Sequence, residues 1–148
     1  MSEQKELDRY YNMVEEVITE LGTRAEQCRS LDVNGKVIPG QWNLVKGSAK
    51  ILADVYTTAE GLSYFCVAAP VMMITSSDPT KLYEKLLKLN HQMYSASFSI
   101  NQGWVWLRIL RECEGMDRKE CRNTFDRVGW YADQYDDMLK NEFGDSVI

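Results

Sequence analysis

The chain has little of the chemistry that catalysis ordinarily uses. It holds one histidine in 148 residues, four cysteines with no C-x-x-C pair among them, no phosphate-cradling glycine loop and no nucleophile elbow. A lone imidazole cannot complete a zinc site with cysteines spaced in this way. A catalytic histidine also needs a nucleophile and an orienting acid beside it, and nothing near His91 supplies them. His91 falls opposite the apolar stripe of its predicted helix, so it is expected to face solvent. These shortages predict a protein that is not an enzyme and that carries no cofactor and no metal.

Basic charge is also short. Seventeen lysines and arginines stand against 22 acidic residues, a net charge of -5, and no local basic cluster offsets it. Such a surface repels a phosphate backbone, so nucleic acid is not an expected partner. No apolar run approaches the length needed to span a bilayer, and the opening Met1-Ser2-Glu3-Gln4-Lys5-Glu6 is polar and enters a helical pattern directly. A cytoplasmic chain with no membrane association is expected.

What is present is an ordinary globular composition, 45% hydrophobic and 26% charged, at a length that encloses one sizeable core, so residues 1–148 read as a single domain. From Glu3 to Leu21, the residues Leu7, Tyr10, Tyr11, Val14, Val17, Ile18 and Leu21 recur at helical spacing, with Gly22 as a stop. Asp32 to Gly40 is rich in turn formers and reads as the loosest stretch. Trp42 to Thr57 reads as extended and bent at Gly47, with Ala49, Ile51, Ala53 and Val55 alternating against polar or outward neighbours. Leu62 to Ala68 and Val71 to Thr75 read as two further strands separated by Pro70.

Asp78-Pro79 opens a second helix with a Leu82, Leu86, Leu89 and Met93 stripe. A hairpin follows, Tyr94 to Ile100 and Trp104 to about Glu112, around Asn101-Gln102-Gly103. Asp117 with Glu120 reads as a capping box opening a long helix to about Phe143, whose inner stripe runs through Cys121, Phe125, Val128, Ala132, Tyr135, Leu139 and Phe143. Cys66 in an apolar strand and Cys121 on that stripe read as buried reduced thiols, a Cys113 to Cys121 disulfide being the alternative. The order is helix, three strands, helix, two strands, helix, an α+β arrangement.

That order, the segment Leu86-Leu87-Lys88-Leu89-Asn90, the hairpin through Ile100 and Val105, and the helix from Tyr131 to Leu139 resemble the YbjN-like proteins of the type III secretion chaperone-like superfamily. The resemblance covers most of the chain after Trp42. It implies a curved antiparallel sheet with helices packed mainly on one face, frequent homodimers, and non-enzymatic roles in holding or regulating other proteins. The turn-rich Cys28 to Gly40 stretch departs from that pattern.

Three surfaces are candidates for binding. Asp126, Asp133 and Asp137 line one side of the last helix with Trp130 among them. They form either a solvated charged face whose tryptophan packs locally, or an anchor for a partner's basic amphipathic segment. Trp104 and Trp106 point to an uncovered sheet face if Val105, Leu107 and Ile109 face the helices, and are core in the other register; uncovered, they suit a client peptide or a dimer mate. Tyr83, Leu87 and Tyr94 form a smaller outer stripe, read as a dimer contact by analogy with the superfamily. The function expected is a protein-binding adaptor or chaperone-like regulator, homodimeric, with an unidentified protein client. The alternative is a regulatory domain that takes a small ligand under the curved sheet.

Overall fold

A computed structural model describes residues 2–144. Their elements run α1 (Ser2–Glu20), α2 (Ala25–Cys28), β1 (Arg29–Leu31), β2 (Val37–Lys46), β3 (Ala49–Thr57), β4 (Ser63–Met73), α3 (Thr80–Gln92), β5 (Ser97–Asn101), β6 (Trp104–Glu112) and α4 (Arg118–Phe143). The strands form one open antiparallel sheet in the order β1-β2-β3-β4-β6-β5. The α+β class is therefore as the sequence predicts, while the strand count differs in three places for identifiable reasons.

Trp42 to Thr57 is a hairpin of two strands. Lys46 pairs with Ala49, so Gly47-Ser48 is a two-residue reversal, with Gly47 at φ 62° in the first central position, as a II′ turn requires. Pro70, in contrast, does not divide the third and fourth predicted strands. It lies inside β4, past the point where the β3 pairing has ended at Leu52↔Ala68, and at a bulge between Pro70 and Met72. A missing N–H is tolerated in such a position. The stretch expected to be loosest is instead a tight reversal that joins β1 to β2 and supplies the start of β2; it turns at Asp32, whose carboxylate accepts from the amides of Asn34 and Lys36 at 2.8 and 3.0 Å.

Strand periodicity then assigns the faces. Trp42, Leu44, Ile51, Ala53, Val55, Phe65, Val67, Ala69, Val105, Leu107 and Ile109 are all buried on one side of the sheet. The long helix α4 crosses β4, β3 and β6 on this face, and α1 packs beside it against β3. Val14, Val17 and Ile18 of α1 and Cys121, Phe125, Val128 and Leu139 of α4 are buried completely or nearly so, the stripes that the spacing predicts. Asp117 caps α4 by accepting from the Glu120 amide at 2.7 Å. For α3 the cap is one step displaced: Pro79 precedes the helix and Asp78 accepts from the Thr80 hydroxyl at 2.7 Å.

Two polar clamps fix the ends of this sheet. Glu15 of α1 accepts a two-pronged pair of bonds from Arg29 of β1, at 2.7 and 2.8 Å, and a third from the Trp42 indole of β2 at 2.9 Å. At the other edge, Asn90 on α3 acts as a one-residue strand. Its Oδ1 accepts from the Phe98 amide at 2.6 Å and its Nδ2 donates to the Phe98 carbonyl at 3.3 Å, closing the free side of β5.

Replacing Asn90 with alanine should cost about 1–2 kcal/mol, because it leaves a half-buried amide and carbonyl unmet; hydrogen exchange at Phe98 should accelerate well beyond that at Leu107. Glu15 gives a pH prediction. Its hydrogen bond from Arg29 holds the carboxyl below its ordinary value of 4.5, the Trp42 indole adds to this, and burial opposes it. A lowered folded value means that this stabilisation is present above pH 4.5 and is lost as pH falls through the folded value. Acid titration of the melting temperature should show a loss in that window which is absent in Glu15→Gln.

Candidate functional site

The back of α4 carries an exposed tryptophan. Trp130 is 61% exposed. Its ring is held edge-on against Tyr131, with centroids 5.3 Å apart at 68°, so the exposed indole is oriented by a buried neighbour. Tyr131 in turn stacks on Tyr135 at 6.0 Å, and its hydroxyl accepts from the Tyr94 amide at 3.0 Å. Arg127, one turn before Tyr131, donates to the Ser95 hydroxyl at 3.1 Å. The segment that leaves α3 is thereby fastened to α4, at Ser95 with its φ of 65°.

On its other flank α4 receives the β2–β3 turn. Gly129 has no side chain, and the aliphatic stem of Lys46 lies directly over it; a Cβ there would come within 2.8 Å of Lys46 Cδ. The Lys46 ammonium continues to Asp126 Oδ1 at 2.9 Å, and Asp133 Oδ1 accepts from the Ser48 hydroxyl at 2.9 Å. Between these groups and Trp130 runs an open groove of about 680 Å³, lined by Lys46, Gly47, Asp126, Arg127, Trp130 and Asp133 among others.

The three aspartates singled out by spacing thus divide. Asp126 and Asp133 bind the neighbouring turn, and Asp137 alone stays exposed with no side-chain partner among the described residues. Acidic steering of a partner is accordingly weaker than the sequence suggests, because Lys46 and Arg127 flank the same groove. Asp136 bonds the amide of Asp137 at 2.6 Å, and among the described residues no three acidic, histidine or cysteine side chains converge as metal ligands do.

The sheet register resolves the second candidate. Val105, Leu107 and Ile109 are the buried set, so Trp104 and Trp106 lie on the face opposite the helices. Trp104 is exposed and Trp106 half-buried. The third candidate is exposed throughout: Tyr83 and Leu87 lie one turn apart on α3, and Tyr94, just past its end, is 76% exposed. The Tyr94 amide rests on Tyr131 and Tyr131 supports Trp130, so the segment that carries Tyr94 is tied to the helix that carries Trp130. Sequence spacing keeps them apart. The Tyr131 hydroxyl that joins them is invisible to helical periodicity.

The remaining chemistry is quiet. All four cysteines are free and buried, and burial pushes the Cys113 thiol up to about 11 and that of Cys121 up to about 12. Such thiols stay protonated and unreactive at neutral pH. His91 is exposed on α3. No helix among the described residues is long and apolar enough to cross a membrane. A second recess, about 480 Å³, lies between α4 and the ends of β3 and β4, lined by Met72, Met73, Trp104, Ala132, Asp136 and Lys140 among others.

Comparison with known proteins gives a family and a fold. The model of the YbjN family, described as "Putative bacterial sensory transduction regulator", matches residues 11–141. A chain in the crystal structure of the ExsC–ExsE complex superposes with a TM-score of 0.63 at 14% identity, covering 89% of this chain and 94% of that one. A chain of the heterodimeric ExoU–SpcU complex, from the type III secretion system of Pseudomonas aeruginosa, superposes with a TM-score of 0.59 at 12% identity, covering 86% and 98%. No curated protein sequence matches.

Trp130 is exposed and outside the core, so Trp130→Ala should change stability by no more than about 0.5 kcal/mol. Asp133→Ala should loosen only the β2–β3 turn, seen as faster exchange at Ser48 with an almost unchanged melting temperature. A collapse of the fold in either variant would show that these groups serve packing and are not a free surface.

Proposed function

The chain belongs to the YbjN family, and from that premise we propose that it is a non-enzymatic, protein-binding regulator or chaperone-like adaptor that works as a homodimer in the cytoplasm. The observation that carries the proposal is the Trp130 surface. An indole held edge-on by a buried tyrosine beside an open groove is an anchor whose conformational entropy has largely been lost in advance. The solved chains that share the fold come from complexes with another protein, which supports the same reading.

Trp130 and Tyr94 supply apolar contact, and Asp137 with the polar rim of Lys46, Asp126, Arg127 and Asp133 sets orientation. The client that fits is a segment with a large apolar side chain for the groove beside Trp130 and mixed polar groups on either side. Tyr94, expected with Tyr83 and Leu87 as a dimer contact, is read as part of the client surface because its amide is tied to Tyr131 beside Trp130.

One observation favours a second reading. The recess lined by Met72, Met73 and Trp104 has the volume of a small-molecule site, and a metabolite that occupied it would raise the melting temperature.

The test is a cross-linked pull-down from the source organism's lysate with the native chain, Trp130→Ala, and a Trp104/Trp106 double alanine variant, each first shown to be folded. One or a few proteins recovered by the native chain and the double variant, and lost with Trp130→Ala, is the expected outcome. Identical recovery by all three, or recovery of the chain alone, would overturn the proposal; a metabolite that shifts the melting temperature would then point to the small-ligand reading.

A further inference from the structure

The ladder that joins β3 to β4 stops short of both strands. It runs to Leu52↔Ala68, although β3 begins at Ala49 and β4 continues to Met73. Pro70 supplies the reason. Lys46 and Ala49 close a two-residue turn by bonding across it, so strand alternation turns the backbone of the next residue, Lys50, toward β4. In the β3–β4 register the residue that would face Lys50 is Pro70, and its ring nitrogen has no hydrogen to donate. The bulge that follows leaves Val71 and Met72 both buried and Met73 exposed. The recess of about 480 Å³ lies at this interrupted ladder, and α4 contributes Ala132, Asp136 and Lys140 to it, each one turn after the last.

The lining divides by chemistry. Pro70, Met72, Met73, Trp104 and Ala132 make an apolar wall, in which Met73 pairs with Trp104 across β4 and β6. Its two thioether side chains are flexible and repack around occupants of differing shape. Lys50 and Lys140 reach the same recess from different elements, β3 and α4, and neither makes an ion pair among the described residues. Asp136 is the one carboxylate among the described residues that line it, and one of its oxygens is turned back to the Asp137 amide at 2.6 Å. Two ammonium groups against one carboxylate make a local excess of positive charge, in a chain whose net charge is -5. An apolar wall with an uncompensated cation excess beside it is complementary to an amphipathic anion, and the volume is that of a small-molecule site.

We propose that this recess binds a small amphipathic acid, an apolar ring or short chain that carries one carboxylate. The apolar body lies against Met72, Met73 and Trp104, and the carboxylate lies between the ammonium groups of Lys50 and Lys140. An uncharged ligand would leave both ammonium groups without a counter-charge, and a second anionic group would meet either Asp136 or the apolar wall. The inference rests on the small-ligand reading of the same recess and names the class of its occupant. It does not depend on the Trp130 surface. Gly47 lines the Trp130 groove and Ser48 lines the recess, so the two sites lie on either side of one turn and share no lining residue.

The experiment is an amide NMR titration of the full chain, as wild type and as a Lys50→Gln/Lys140→Gln double variant, with three probes: phenylbutyrate, its neutral isostere phenylbutyramide, and acetate. In wild type, phenylbutyrate should shift the amides of Ser48, Met73 and Ala132 and the Trp104 indole. Phenylbutyramide should bind about five- to ten-fold more weakly, the scale of two exposed ion pairs. Acetate, which has the charge without an apolar body, should leave the spectrum unchanged. In the double variant acid and amide should bind alike, a result that misfolding cannot imitate because the affinity for the amide is kept. Equal affinity for acid and amide in wild type would overturn the inference and leave the recess as a site for an uncharged ligand. A preference for the acid that survives in the double variant, or shifts centred on Trp130, would overturn it as well, since neither lysine would then select the anion. Failure of both phenyl probes to bind would remove the small-ligand reading along with it, while capture of a protein through Trp130 would stand or fall by its own test.

Discussion

The packing of Phe125 on α4 against Phe65 on β4 is the contact on which the rest of the structure depends. Both rings are fully buried, 5.8 Å apart at 59°, on an inner strand of the sheet and in the N-terminal third of the longest helix. They fix α4 across three strands, and with Val128 and Leu139 they commit every inward residue of β3, β4 and β6 to one side. A sheet has two faces, and here one helix layer covers one of them. The polarity of everything else follows from that asymmetry: what α4 presents on its back is free for other molecules, and what the strands present on their far side has no cover from within the described chain.

The same geometry explains why residues that look functional have structural duties. A helix seated in the middle of a sheet must be met on both flanks, and on one flank the β2–β3 turn reaches Asp126 and Asp133 through Lys46 and Ser48. Gly129 is what allows that turn so close. On the other flank Tyr131 and Arg127 hold the segment leaving α3. Trp130 stands between the two flanks with neither to pack on, which is why a large apolar side chain there remains exposed. The acidic line is thus partly a docking device for the protein's own turn, and the aromatic residue within it is the one that is available to others.

Legibility in the sequence varied with the range of the interaction. Helical stripes and caps are local, so α1, α4 and the Asp117 cap could be read from spacing, as could the hairpin of β5 and β6. Gly47 misled because a glycine within an alternating run marks either a bulge or a reversal, and the choice depends on whether the flanking residues pair with each other. Pro70 misled because a proline is taken to end a strand, although at a bulge beyond the reach of β3 it does not. Glu15 gave no signal at all, and Asn90 stood out only as the close of the Leu86 to Asn90 segment, with nothing to say what it bonds. Their partners lie 14 to 27 and 8 residues away, and no periodicity links a carboxylate on a helix to an arginine and an indole on two different strands.

By itself the sequence determined the class of the fold, the buried stripes of its helices, the lack of a basic or metal-ligating pattern, and the three sets of candidate residues around Trp130, Trp104 with Trp106, and Tyr83 with Tyr94, because each depends on residue type and on spacing within one element. Only the tertiary structure decided which face Trp104 and Trp106 occupy, since a strand's period of two is equally satisfied by either register until Val105, Leu107 and Ile109 meet α4. It also joined Tyr94 to Trp130 through Tyr131, and it placed Glu15 against Arg29 and Trp42. Those relations join residues far apart in the chain, and such distances exist only once the strands have paired.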